Sequence, residues 1–302
     1  MDWQSPSWST LTASQSNLVQ KSKKPGNKGV TTMAKPTIVG VHGAWHSAAH
    51  FLPLKENLAQ YGYKFIAVLL PSMHYAELKC PPPIHIKEDV EAIQTAILTE
   101  LNDYPATDVV VLTHSYGGMP GSAAVENLDK NSRKAAGFSN GISALLAISS
   151  LLVNEGISGF DLGNKTVPPT IILSKIPSPV DNNMDIEISM PNPEPGPTTT
   201  FYHDLPQKDA EHYASLLVPH VWTVYCTPVP FAGFKVVPTY YLLTEDDKSL
   251  PPEWQRLIIK MADEVTLHGK IVVDTIHASH SPFLSKVDET ATWIRRSLGE
   301  KF

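Results

Sequence analysis

The sequence predicts an α/β protein, a mostly parallel sheet covered by helices on both faces and interrupted by one long insertion. Three observations carry this expectation. Short apolar, β-branched runs at residues 37–41 and 109–112 stop abruptly before glycine-containing turns, as strands buried on both faces do. Between them, residues 86–101 have a helical period, so strand and helix alternate. After an irregular stretch from about 154 to 235, the alternation resumes and runs to the C-terminus.

Residues 1–34 are rich in Ser, Thr, Gln, Asn and Lys without periodicity, and Lys21-Ser22-Lys23-Lys24 adds charge instead of an apolar face. A disordered extension is expected there, with Met33 as an alternative start and no apolar core of a secretory signal. The strand at 37–41 runs into His42-Gly43-Ala44-Trp45-His46, where the glycine lets the following backbone N–H groups turn toward an open site. A second run, 65–70, ends at Pro71-Ser72, and a proline-rich loop follows at 80–83. In the helix expected at 86–101, apolar residues recur at 86, 90, 93, 97 and 101, with acids near its start. The strand at 109–112 leads through Thr113-His114 into Ser115-Tyr116-Gly117-Gly118, and 121–128 reads as a helix of small residues. A further strand is expected at 145–150. Proline is dense from 154 to 235, where 207–217 is the one helix-like stretch, and an insertion of this kind inside a compact fold reads as a lid. The remaining elements are a strand at 237–243, a helix at 252–261 opened by Pro252, a strand at 270–274 and a closing helix at 285–298. Residues 35–302 are thus expected to form one domain carrying the lid.

Composition excludes several classes of function. In 302 residues, 24 basic against 30 acidic side chains leave no basic patch for nucleic acid past residue 35. Cys80 and Cys226 cannot build a disulfide framework and neither belongs to a C-x-x-C pair, which fits a reducing, cytoplasmic setting. The longest nearly unbroken apolar run, 142–153, is too short and too serine-rich to span a bilayer.

The chemistry is concentrated where strands end. Ser115 lies at a strand-to-helix turn with the geometry of a nucleophile elbow, although Thr113 replaces the first glycine of the G-x-S-x-G pattern; room for it requires the helix to stand slightly further off. A serine nucleophile needs a base and a carboxylate that orients the base, in the chain order Ser, acid, His for this elbow. Both occur in that order: residues 240–243 run into Glu245-Asp246-Asp247, and the strand ending at Asp274 runs into a loop that contains His280. His42, His46 and His50 would align on a helix as metal ligands, but Gly43 and the preceding strand argue against that helix, and no metal or cofactor is expected.

The motifs Val41-His42-Gly43-Ala44-Trp45-His46, His114-Ser115-Tyr116-Gly117-Gly118, 241–255 and Ala278-Ser279-His280-Ser281-Pro282-Phe283 resemble those of α/β-hydrolases. The branch they resemble contains plant methylesterases, hydroxynitrile lyases and many fungal and bacterial esterases. The resemblance implies the α/β-hydrolase fold and a triad of Ser115, Asp247 and His280. In this branch the acid precedes a proline by four residues, and counting back from Pro251 picks Asp247, with Asp246 next and Glu245 third. It further implies an oxyanion hole made by the backbone N–H groups of Ala44 and Tyr116. Phe201-Tyr202-His203-Asp204-Leu205-Pro206 resembles fungal members, some of them in secondary-metabolite pathways. The expected function is a serine hydrolase that cleaves an ester or lactone of a small apolar molecule through an acyl-enzyme. Two alternatives remain open at this stage, a lyase using the triad as a base and a ligand-binding protein whose triad is nearly silent.

Overall fold

The computed structural model describes residues 34–178 and 185–302; apart from Ala34, the expected N-terminal extension and the alternative start at Met33 lie outside the described residues. Nine strands form among the described residues: β1 (Thr37–Val41), β2 (Phe65–Ala67), β3 (Val109–His114), β4 (Ile142–Ile148), β5 (Ile171–Pro177), β6 (Asp185–Pro191), β7 (His220–Val221), β8 (Thr239–Thr244) and β9 (Val272–Ile276). Six of them build one sheet in the order β2-β1-β3-β4-β8-β9, and every pairing in it is parallel. Val110, Val111 and Leu112 in β3 and Leu145, Leu146 and Ala147 in β4 have no solvent exposure, which a run apolar at every position requires.

Helices α1 (Leu52–Gln60), α2 (Pro71–Leu78), α3 (Lys87–Asp103) and α4 (Gly118–Ala123) lie between these strands. In α3 the apolar residues buried are Val90, Ile93, Ile97 and Leu101, the stripe that the spacing predicts, and Asp89 and Glu100 are buried beside them. Two helices carry no comparable signal. Only Leu54 and Leu58 of α1 are buried, and α2 has a non-helical turn at His74.

The register aligns the strand ends. Val41 pairs with Thr113, His114 with Ile148 and Thr244 with Ile276, so the turns after β1, β3, β8 and β9 all leave from the C-terminal edge of the sheet. Ligand sites in open parallel sheets form at that edge.

Several boundaries move from expectation. β4 begins at Ile142 instead of 145, and β9 covers 272–276 instead of 270–274. The small-residue helix begins earlier, at Gly118, and ends at Ala123; Pro120 falls in its first turn, where a missing N–H removes no helical hydrogen bond. The closing helix is split into Pro282–Ser285 and Val287–Ser297.

The stretch between β4 and β8 is less irregular than its prolines suggested. It contains a second, antiparallel sheet in the order β5-β6-β7, besides the helix Gln207–Ser215. Pro177 and Pro191 occupy the last positions of β5 and β6, where a missing donor costs little of the ladder. Among the described residues no helix is long and apolar enough to cross a membrane. Cys80 and Cys226 are both unpaired thiols.

Candidate active site

Ser115 has φ +52°, left-handed backbone that a serine adopts only under constraint from its surroundings. Two close approaches supply the constraint. A Cβ on Gly117 would fall 2.5 Å from the Val41 carbonyl oxygen, so only glycine lets the turn lie over the end of β1. A Cβ on Gly121 would meet Thr113 Cγ2 at 2.6 Å. The expectation that the helix stands off to accommodate Thr113 is therefore replaced by a direct fit, in which the helix gives up its own side chain opposite the threonine. Thr113 is further fixed by a 2.9 Å hydrogen bond between its hydroxyl and that of Ser150.

Of the three candidate acids, the structure brings Asp247 to His280. The His280 Nδ1–H donates to Asp247 Oδ2 at 2.7 Å, and both side chains are almost fully buried. The same carboxylate accepts from the Thr244 hydroxyl, the Gln255 amide and the backbone N–H groups of Ser249 and Leu250. Asp246 lies about half exposed, with His277 at 3.6 Å as its ionic neighbour, and Glu245 pairs with Arg256 at the surface. Because His280 donates through Nδ1, the neutral ring leaves Nε2 as the basic atom. The His280 carbonyl accepts from His114 Nε2 at 3.0 Å, and among the described residues no hydrogen bond joins His280 Nε2 to Ser115 Oγ. Catalytic hydrogen bonds often tighten only around substrate.

The turn after β1 packs directly on the elbow. A Cβ on Gly43 would meet both Ser115 Cβ and His114 Nδ1 at 2.9 Å. Ala44, Ser115 and Tyr116 line one cavity, and the Ala44 N–H has no protein acceptor among the described residues. Tyr116 follows the first residue of a helical turn, where backbone donors lack intrahelical partners. The two residues whose amides are expected to hold an oxyanion thus border the same cavity as the serine.

The histidines packed around the elbow, His42, His46, His50 and His114, are buried and uncharged. Burial lowers His42 to about 3 and His50 to about 4, and holds His46 and His114 well below the usual histidine range. Their bonds suit neutral rings: His46 Nδ1–H donates to the Ala44 carbonyl at 2.7 Å, so its Nε2 accepts from the Tyr202 hydroxyl at 2.9 Å. The rings of His50, His46, His114 and His280 follow one another with centroid spacings of 4.6, 5.2 and 4.6 Å. Neutral neighbours do not oppose a positive charge forming on His280.

One carboxylate was missed as part of the site. Asp89, read as a helix-start acid, is fully buried and accepts hydrogen bonds from the Tyr116 hydroxyl at 2.7 Å and from the Ser72 hydroxyl and N–H at 2.6 and 2.9 Å. Burial pushes its pKa up to about 6, with these donors pulling the other way. It holds Tyr116 from beneath. Only its place in the first turn of α3 hinted at it, and that place normally signals a solvated acid.

The cavity above Ser115 has a volume of about 140 Å³. The segment between β4 and β8 supplies much of its wall, including Thr170, Ile171, Phe201, His220, Trp222 and Tyr225. That segment is fastened to both loops of the site. Trp45 Nε1 donates to the carbonyl of Ser189 at 3.0 Å, and the Val218 N–H donates to the carbonyl of Trp45 at 2.8 Å. On the other side, Asp204 Oδ2 accepts from the Ser279 N–H at 2.9 Å and the Ser285 hydroxyl at 2.6 Å, while the Ser279 hydroxyl donates to the Phe201 carbonyl at 2.7 Å. A larger cavity of about 390 Å³ adjoins the first and shares Leu151, Pro168, Thr170, Tyr225, Ser249 and Leu250 with it.

Comparison with known proteins agrees with this architecture. A sequence model of the alpha/beta hydrolase family matches residues 38–293. The chain is 29% identical over 270 residues to alpha/beta hydrolase nvfD of Aspergillus novofumigatus, covering 89% of this chain and 98% of that one. It is 25% identical over 274 residues to probable hydrolase R7 of a Phoma species, covering 88% and 100%. Among solved structures, polyneuridine aldehyde esterase superposes with a TM-score of 0.67 at 19% identity, over 87% of this chain and 98% of that one.

Proposed function

Since the chain belongs to the alpha/beta hydrolase family, we propose that it is a serine hydrolase that cleaves a carboxylic ester or lactone of a small apolar molecule through an acyl-enzyme. The observation that carries this reading is the buried 2.7 Å pair of His280 and Asp247 beside a serine held at φ +52°. In the proposed mechanism, His280 Nε2 takes the Ser115 hydroxyl proton as Oγ attacks the carbonyl carbon. The resulting oxyanion accepts from the Ala44 and Tyr116 amides, and Asp247 stabilises the imidazolium. His280 returns the proton to the leaving alkoxide, which departs as the alcohol. Water, deprotonated by His280, then releases the acid. No cofactor enters these steps.

The segment between β4 and β8 serves in this reading as the lid. A cavity of about 140 Å³ is close to the ~150 Å³ space known to hold benzene, so a ring or short acyl chain fits beside Ser115. The names of the fungal relatives and the polyneuridine aldehyde esterase likeness are compatible with esterase chemistry, and secondary metabolism is the setting we propose for it. Incubation with a fluorophosphonate and a short-chain aryl ester, followed by mass spectrometry of the Ser115 peptide, tests the reading. Labelling with turnover is expected; labelling without turnover favours a lyase or a binding protein, and no labelling removes the elbow from the chemistry.

The choice of acid is separately testable. Asp247→Asn is expected to lower kcat by roughly 10⁴-fold, because the histidine is then held in the wrong tautomer. Asp246→Asn, which alters an exposed side chain, is expected to stay within about threefold of the parent on the same assay. The reverse ranking would move the triad to Asp246.

Asp204 is a positioning residue in this scheme, since it grips the chain on both sides of His280. Asp204→Ala is expected to lower kcat by roughly ten- to a hundredfold with little change in KM, and Asp204→Asn, which keeps an acceptor, to recover most of that loss. A general loss of folding would instead appear as equal damage in both variants by circular dichroism.

A further inference from the structure

His220 lines the Ser115 cavity, yet it takes no part in the triad and its side chain makes no hydrogen bond among the described residues. The residue is 1% exposed, no hydrogen bond reaches its ring among the described residues, and Nε2 is shielded from solvent as well as unpartnered there. Its backbone is fixed: His220 belongs to β7, which pairs with β6 at Ser189, and its carbonyl accepts from the Ser189 hydroxyl at 3.3 Å. Its ring packs 4.5 Å, centroid to centroid, from the ring of Tyr116, the residue directly after the serine.

A structural role does not account for this placement. An unmet buried donor or acceptor opposes folding, and of the described histidines with an unpartnered buried ring nitrogen His220 is the one that lines the Ser115 cavity. A metal does not account for it either, because no group of three ligand side chains exists among the described residues. Burial lowers its pKa to about 3, so at neutral pH the ring is uncharged and offers one N–H donor and one bare nitrogen acceptor. The other polar side chains on the cavity wall are differently placed. Ser189 is engaged with Trp45 and the His220 carbonyl, while Thr170 and Ser249 are partly exposed and within reach of water. The rest of the wall, with Trp45, Leu151, Ile171, Trp222 and Tyr225, is apolar or aromatic.

We propose that His220 is a specificity residue that hydrogen-bonds a second oxygen of the substrate, a hydroxyl or ketone close to the reacting carbonyl. The preferred substrates are then oxygenated esters or lactones and not plain ones. The ring's contact with Tyr116 sets the position, because the Tyr116 amide and the imidazole border the same space. Either oxygen class satisfies the ring, a hydroxyl as donor or acceptor and a ketone as acceptor. A site built to meet a polar substituent discriminates strongly against the analogue that lacks it, since its own polar group is then left unpaired.

This proposal rests on Ser115 being the nucleophile, and its test separates the two. The probes are methyl 3-hydroxy-3-phenylpropanoate and methyl 3-phenylpropanoate. The parent is expected to prefer the hydroxy ester by roughly tenfold or more in kcat/KM. In His220→Leu the ratio of the two is expected to collapse toward one, and His220→Gln, which keeps a donor and an acceptor, to restore part of it. The same pair is then titrated against Ser115→Ala and Ser115→Ala/His220→Leu, following tryptophan fluorescence. A gap in Kd that the second substitution removes supports the proposal even if no ester is hydrolysed. No preference in the parent with equal Kd values in Ser115→Ala, or a ratio that survives His220→Leu, overturns it. Failure of fluorophosphonate to label Ser115 with the Kd gap intact would overturn the hydrolase reading and leave His220 as a binding residue.

Discussion

Ser115→Ala is expected to lower kcat for ester hydrolysis by roughly 10⁵-fold or more and to leave the fold unchanged. The size of the effect follows from how triad members act together: without the nucleophile, the histidine and carboxylate have nothing to activate, and only the residual contribution of the oxyanion donors and binding remains. The structural cost is small. One oxygen is removed from a half-buried side chain, and alanine meets the same left-handed backbone demand at φ +52° that serine already meets. The measurement is kcat by steady-state assay, alongside a melting curve and mass spectrometry for a covalent acyl adduct. Activity within about tenfold of the parent, or an adduct on another residue, would remove Ser115 from the nucleophile's role.

The second large effect is collapse in mild acid. His42, His46, His50, His114 and His220 are all held below the ordinary histidine pKa of 6.5 by burial. In the unfolded chain they titrate near that ordinary value, so as pH falls through it the unfolded state binds protons that the folded state refuses. Stability is therefore present above about pH 6.5 and lost below it. Each such group can withdraw at most about 2 kcal/mol between pH 7.5 and 5, so five together are large enough to matter against a typical net stability of about 5–15 kcal/mol. Asp89 works in the other direction, since its raised pKa near 6 lets the folded state keep a proton that the unfolded chain has released, but it is one group against five. Urea unfolding followed by circular dichroism at pH 7.5, 6.5, 5.5 and 5 should show a steep fall in midpoint, with the native signal lost near pH 5. A midpoint that holds steady down to pH 5 would mean that these rings find room for their charge.

What could be read from the chain in advance was set by where the signal lies. The turns after β1, β3, β8 and β9 were legible because each strand is a short apolar run that ends in polar or glycine residues, and a parallel sheet gathers such ends on one edge. Asp247 was separable from Asp246 and Glu245 only through a family resemblance. Its distinguishing feature is five hydrogen bonds in the folded site, three of them from outside its own turn, from Thr244, Gln255 and His280. The fit of Gly121 to Thr113 is a contact between a strand and a helix, invisible to a motif that names only one of the pair. The antiparallel sheet of β5, β6 and β7 was hidden by prolines at its strand ends and by exposed apolar positions such as Ile172, which blur the alternation expected of a half-buried strand. The buried histidines read as loop packing because the rings that surround them, such as Tyr202 and His114, lie far along the chain.

The fastening of the segment between β4 and β8 has a consequence for engineering. Its anchors are Trp45, beside the Ala44 amide, and Ser279, beside His280, so the contacts that hold it also brace the reacting groups. A chimera that receives this segment from a relative inherits more than a new pocket. Unless the graft brings an acceptor to meet Trp45 and an acid to meet Ser279, it should bind its new ligand and turn it over poorly, because recognition and reactivity in this chain are co-inherited through a few shared side chains.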